Sequence, residues 1–176
     1  MKNLLIIIVV TIGLVLVSFN SGKTTPKEQV ITSKTIAQVA VVVKDIDKAR
    51  NAWAQVLGKK VPEVSVAESN SSRPTLYKGV RSDAKAKLAF IEMDNLQIEL
   101  IQPLGGKSIW QEFLDNNGEG IHHIAFTVKN INGVEKQFEL QGMPTVQSGG
   151  WDGGAYSYID ATANMGCILE LLENLK

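Results

Sequence analysis

The chemistry available to this chain is concentrated in four polar side chains set within otherwise apolar, strand-like runs: Gln38, Glu99, His123 and Glu170. His123 belongs to the stretch GIHHIAFTV, which also holds the chain's other histidine, His122. Side chains alternate along a strand, so the two imidazoles are expected on opposite faces, with His122 as a packing or supporting residue. An imidazole, two carboxylates and an amide oxygen suit one divalent cation, and the imidazole favours Zn, Mn, Co, Ni or Fe(II) over Mg. Two glutamates would neutralise such an ion. Coordination positions left for water or substrate would make it a Lewis acid, and a neighbouring carboxylate can act as a general base. Taken singly, each residue has a plainer role: a histidine hydrogen-bonded within its strand, or a glutamate facing solvent.

An internal repeat joins the four. The stretch from Thr35, TIAQVAVVVKDIDKARNAWAQVLGKK, matches the stretch from Gly120, GIHHIAFTVKNINGVEKQFELQGM, at a constant offset. Ile36 falls on Ile121, Ala40 on Ala125 and Val43 on Val128, which sets Gln38 on His123. The halves also end alike, in LQIELIQP and CILELLEN, which sets Glu99 on Glu170. A glutamine in an apolar strand needs a polar reason to be there, and its partner by repeat is the histidine.

The elements that must hold these residues follow from the same comparison. Each half opens with an apolar, β-branched run of strand length. Asp45 or Asn130 then caps a helical pattern that ends near Gly58 or Gly142. Two further strand-like runs and the glutamate-bearing strand complete each half. Between the halves, SIWQEFLDNN reads as a short linking helix capped by Ser108. The fold class is therefore α+β: two paired βαβββ modules, module one over 35–104 and module two over 119–174, with the linking helix within 105–118. SGGWDGGAYSY is expected to be a glycine-rich loop or turn, from which Trp151, Tyr156 or Tyr158 could touch a substrate. The polar segment from Glu68 to Lys87 is a hairpin or a long loop.

The first residues differ in kind. MKNLLIIIVVTIGLVLVSFNSGK runs uncharged and largely apolar after Lys2, so 1–22 reads as a signal peptide or an uncleaved membrane anchor, and 23–34 as a linker. In a bacterial cell that implies a periplasmic, secreted or outward-facing anchored protein, touching the membrane only through this segment. Lysine plus arginine equals aspartate plus glutamate at 18 each, without a basic patch, which argues against nucleic acid as a partner. The single cysteine, Cys167, excludes an internal disulfide and a cysteine-based zinc site.

The paired βαβββ layout together with GIHHIAFTV, IELIQPLGG and CILELLEN resembles the vicinal oxygen chelate (VOC) superfamily of glyoxalases, bleomycin-resistance proteins and extradiol dioxygenases. Within it, IQPLGGKSIWQEFLDNNGEGIHHIAFTV is most similar to the methylmalonyl-CoA epimerases. The resemblance spans 35–174. It implies an open eight-stranded cup around one divalent metal, with Gln38, Glu99, His123 and Glu170 at the ligand positions and Glu170 as the catalytic base. Gln38 departs from the histidine usual in the epimerases, and matches the Gln, Glu, His, Glu set of some glyoxalase I enzymes. It counts against dioxygenase and fosfomycin-resistance chemistry.

Three functions fit these expectations. The first is an epimerase-like enzyme that moves a proton next to a carbonyl of a small acyl or keto substrate. The second is a glyoxalase-like isomerase or lyase. The third is a non-catalytic module that holds a small ligand. A homodimer is compatible with each.

Overall fold

A computed structural model describes residues 29–175. The segment read as a signal peptide or anchor, and the linker as far as residue 28, lie outside the described residues. No helix among the described residues is long and apolar enough to cross a membrane.

Module one contributes β1 (Gln38–Val42), α1 (Ile46–Leu57), β2 (Val64–Ala67), the short pair β3 (Leu76–Tyr77) and β4 (Val80–Arg81), β5 (Ala86–Glu92) and β6 (Gln97–Pro103). Helix α2 (Ile109–Asn117) leads to module two: β7 (Gly120–Thr127), α3 (Ile131–Glu139), β8 (Thr145–Trp151), β9 (Gly154–Asp160), α4 (Thr162–Met165) and β10 (Ile168–Asn174). All ten strands form one curled sheet in the order β2-β5-β6-β1-β7-β10-β9-β8-β3-β4.

The repeat is visible in the register. The opening strands β1 and β7 pair antiparallel at the centre, and each also pairs in parallel with the last strand of its own module. Ala40 faces Glu99 and His123, while its repeat partner Ala125 faces Glu170 and Gln38. A pseudo-twofold relation between the modules therefore runs between β1 and β7. Helix entry repeats as well. Asp45 and Asn130 cap α1 and α3 through their side chains. Gln102 of β6 accepts from Ile46 N at 3.1 Å, and Glu173 of β10 accepts from Ile131 N at 2.9 Å. These capping residues stand three places beyond the two site glutamates, so each helix start is fixed to the strand that carries a functional carboxylate.

The expected strand count is corrected from eight to ten. Within Glu68–Lys87, β3 and β4 form a hairpin that turns at Lys78 and Gly79, with φ of 48° and 77°. Positive φ at both central residues is the tight turn that suits the twist of paired strands. Leu76 then pairs with Ser148, so this piece of module one extends the sheet at the far edge of module two. The wall of the cup thus exchanges chain between modules.

Outer-face residues such as Leu100 and Ile98 pack under α1, and Ile159, Leu169 and Leu171 pack under α3. On the inner face α2 sets Ile109, Trp110 and Phe113 against Ala40, Val42 and Tyr158, plugging one end of the cup. Ile109 N donates to the buried Gln147 side chain at 2.9 Å, which ties the start of α2 to β8. Leu171 is fully buried. Leu171→Ala is expected to cost about 3 kcal/mol, read as a lowered denaturation midpoint with an unchanged slope.

Candidate metal centre

Central strands carry the site. Glu99 comes from β6, His123 from β7 and Glu170 from β10, and one ligand atom of each lies within 4.8 Å of the others. His123 Nε2 is 3.1 Å from Glu170 Oε2 and 3.4 Å from Glu99 Oε2. The three are buried, with His123 wholly inaccessible. His123 Nε2, Glu99 Oε2 and Glu170 Oε2 nevertheless have no hydrogen-bond partner. Buried polar atoms are normally paired, and three unpaired ones converging on a point fit a cation. Glu99, Glu170 and Gln38 line one cavity of about 910 Å³.

Gln38 enters through a chain of side chains. Its Nε2 donates to Gln97 Oε1 at 2.5 Å, and Gln97 Nε2 in turn donates to the Glu92 carboxylate. Glu92 can only accept here, so the order of donors is set from the rim inward. It leaves the Gln38 amide oxygen as the group free to meet a cation. Gln97 was legible as Glu99's neighbour two positions back on the same face, but its service to Gln38 depends on the β1–β6 register.

Electrostatics separate the groups. Burial, followed by repulsion from Glu170, raises the Glu99 carboxyl, with His123 as a partial offset. Burial alone would lower His123, but the charge and proximity of Glu170 and Glu99 outweigh it and raise the imidazole to about 9. Without a cation the cluster therefore holds a proton on His123. Tyr158, opposite Glu170 on β9, is pushed well above the ordinary phenol value by burial and then by Glu170 and Glu99. It stays a neutral hydrogen-bond donor.

His122 corrects an expectation. The β1–β7 register shifts between Ala40 and Val41, with Ala40 opposite His123 and Val41 opposite Ile121. His122 is the extra residue of a β-bulge, so alternation fails there. Its ring does not turn to the other face. It lies beside His123 with the two Nδ1 atoms 2.9 Å apart, edge-on to Phe113 of α2. Burial, then the charge of His123, lowers His122 to about 3, opposed by a hydrogen bond to the Ile109 backbone. A neutral His122 can accept the Nδ1 proton of His123, and that leaves His123 Nε2 directed at Glu99 and Glu170.

Of the loop and the turn expected for the glycine-rich stretch, the structure has the turn, as part of a hairpin. Strands β8 and β9 continue through it and turn at Asp152-Gly153. Trp151 lies over Gly154, where a Cβ would sit 1.9 Å from the indole. Trp151, Tyr156 and Tyr158 all line the cavity. Trp110, which the sequence did not single out, lines it too.

Comparison with known proteins agrees with this architecture. Residues 37–159 match the family model of the Glyoxalase/Bleomycin resistance protein/Dioxygenase superfamily. The chain belongs to that superfamily. It is similar to the mitochondrial methylmalonyl-CoA epimerase of Bos taurus, with 35% identity over 96 residues, covering 53% of this chain and 46% of the relative. It thus matches about half the length of the mammalian epimerases. An ethylmalonyl-CoA/methylmalonyl-CoA epimerase of Cereibacter sphaeroides is 28% identical over 138 residues, covering 76% of this chain and 92% of the relative. Among solved structures, methylmalonyl-CoA epimerase from Mycobacterium tuberculosis superposes with a TM-score of 0.56 at 22% identity, covering 86% of this chain and 93% of that one. That last likeness concerns the fold.

Proposed function

We propose that this VOC-superfamily protein is a divalent-metal-dependent, epimerase-like enzyme that removes and returns a proton next to a carbonyl. The observation that carries this reading is the convergence of Glu99, His123 and Glu170 with three unpaired buried atoms, the two carboxylates at the wall of a large cavity. Gln38, Glu99, His123 and Glu170 would hold the ion. When bound, it supplies the positive charge that stabilises the negative charge developing on the carbonyl oxygen. Glu170 takes the α-proton and returns it. Tyr158 stands opposite Glu170 across the β9–β10 ladder as a neutral donor. Tyr156, Trp110 and Leu88 exclude water from the inner end of the cavity. The reaction class is the one named for the epimerase relatives, and their substrate is not carried over with it. Gln38 supports a second reading, a glyoxalase-type isomerase or lyase, which a strict dependence on added thiol would reveal. We further propose that the apolar N-terminus exports the domain.

Metal content tests the reading directly. The full chain, purified without chelator and offered Zn, Mn, Co or Ni, is expected to bind about one ion, measured by mass spectrometry, and Glu99→Ala to lose it. No ion under any of these conditions would falsify the metal-dependent reading.

His122 provides a second test. If its Nδ1 accepts from His123 and so directs Nε2 at the ion, His122→Phe should weaken metal binding about tenfold. His122→Asn, which keeps an acceptor near that place, should restore most of it. Titration of both variants with Co(II), followed by its absorption, reads the effect without reference to activity.

A further inference from the structure

The cavity combines an acidic wall with an apolar interior. Among the described residues lining it, Glu68, Glu99, Asp152 and Glu170 bring carboxylates, and none brings an ammonium or guanidinium group. Glu99 and Glu170 are the pair that a divalent ion would neutralise. Glu68 is matched by Lys85 at 2.9 Å, outside the lining. Asp152, at the exposed turn between β8 and β9, adds a negative charge at the rim.

The rest of the surface is aromatic, aliphatic or neutral and polar. Leu88, Phe90, Trp110, Tyr156 and Leu172 form the apolar part. Trp110 Nε1 is buried without a hydrogen-bond partner, and Tyr156 and Tyr158 bring hydroxyl groups to the lining. Such donors satisfy a carbonyl or hydroxyl oxygen and contribute no positive charge. A second carboxylate on the ligand would enter a cup where the cation's two charges are already matched by two glutamates. That extra charge would be confined without a counter-ion, and confined unpaired charge is strongly disfavoured. A phosphate-bearing carrier would meet Asp152 at the rim.

We propose that the cup takes an electrically neutral α-substituted carbonyl compound, such as an ester, a ketone or a thioester on an uncharged carrier, and disfavours free carboxylate and phosphorylated forms. The selectivity rests on the proposed divalent-ion site, and on the proton-transfer reading only in calling this ligand a substrate.

A matched pair tests it: the N-acetylcysteamine thioester of methylmalonate as its methyl ester and as its free acid. Dissociation constants are measured on the zinc-loaded full chain by tryptophan fluorescence, and α-deuteration by proton NMR against a protein-free blank. The methyl ester is expected to bind at least about tenfold more tightly than the acid, and Asp152→Lys, at an exposed turn, to narrow the gap. Equal or tighter binding of the acid overturns the proposal, as does failure of the ester to bind. An ester that binds with selectivity but shows no exchange above blank removes the enzymatic reading and leaves the neutral-ligand cup standing.

Discussion

Glu170→Gln should reduce α-proton exchange by about a thousandfold, to the level supported by the remaining groups. The substitution preserves volume and one oxygen on β10, so the sheet register and a bound ion should survive. It removes the one property the mechanism needs, because a neutral amide cannot take up the α-proton. Exchange into a carbonyl substrate in heavy water, measured beside metal content in the same preparation, separates loss of the base from loss of the ion. Retained metal with lost exchange places the proton on Glu170. Undiminished exchange would remove Glu170 from the mechanism and leave it a ligand only. Glu99, equally buried and related to Glu170 by the repeat, is the control. Its loss should act through the metal, and high metal concentration should then recover exchange in Glu99→Gln more than in Glu170→Gln.

Metal affinity should rise about fiftyfold between pH 7 and pH 9. In the metal-free chain His123 is raised to about 9, so it carries a proton at neutral pH, and an ion can enter only as that proton leaves. One proton displaced per ion gives about tenfold in affinity per pH unit below the imidazole's value. The same shift governs metal-free stability. A folded value raised above the ordinary 6.5 contributes stability that is complete below about 6.5 and lost as pH rises through about 9. Glu99, also raised, acts in the same direction: its contribution is present at low pH and lost as pH increases. His122 is lowered, so its contribution is present above about 6.5 and lost as pH falls toward about 3. The metal-free chain should therefore be most stable near pH 6.5 and lose thermal stability toward pH 9, while the loaded chain should not. Calorimetry in two buffers of different ionisation enthalpy reads the released proton directly. Affinity independent of pH over that range would show that His123 is unprotonated in the metal-free site.

The amino-acid sequence by itself determined the duplication, and with it the most informative fact about the site. Matching the halves set Gln38 against His123 and Glu99 against Glu170. The register of β1 with β7, and of each with its parallel neighbour, keeps that relation in space. Apolar runs set the strands and the caps at Asp45 and Asn130 set the helix starts, because those signals act within a few residues along the chain.

What the sequence left open depends on contacts between remote segments. A hairpin within Glu68–Lys87 was one of two readings the sequence allowed, but nothing local sets Leu76–Arg81 at the sheet's edge, since its ladder partner is Ser148 in the other module. His122 was expected on the far face because alternation holds in a regular strand. The bulge that brings it beside His123 exists only where β7 meets β1, as an offset between two ladders that neither strand encodes alone. Gln97 shares a face with Glu99 in any strand, yet it orients Gln38 only because β6 lies parallel to β1. Which residues could meet a cation was written in one dimension. How each is aimed was decided by pairing across the sheet, where a shift of one residue changes which atom faces the cup.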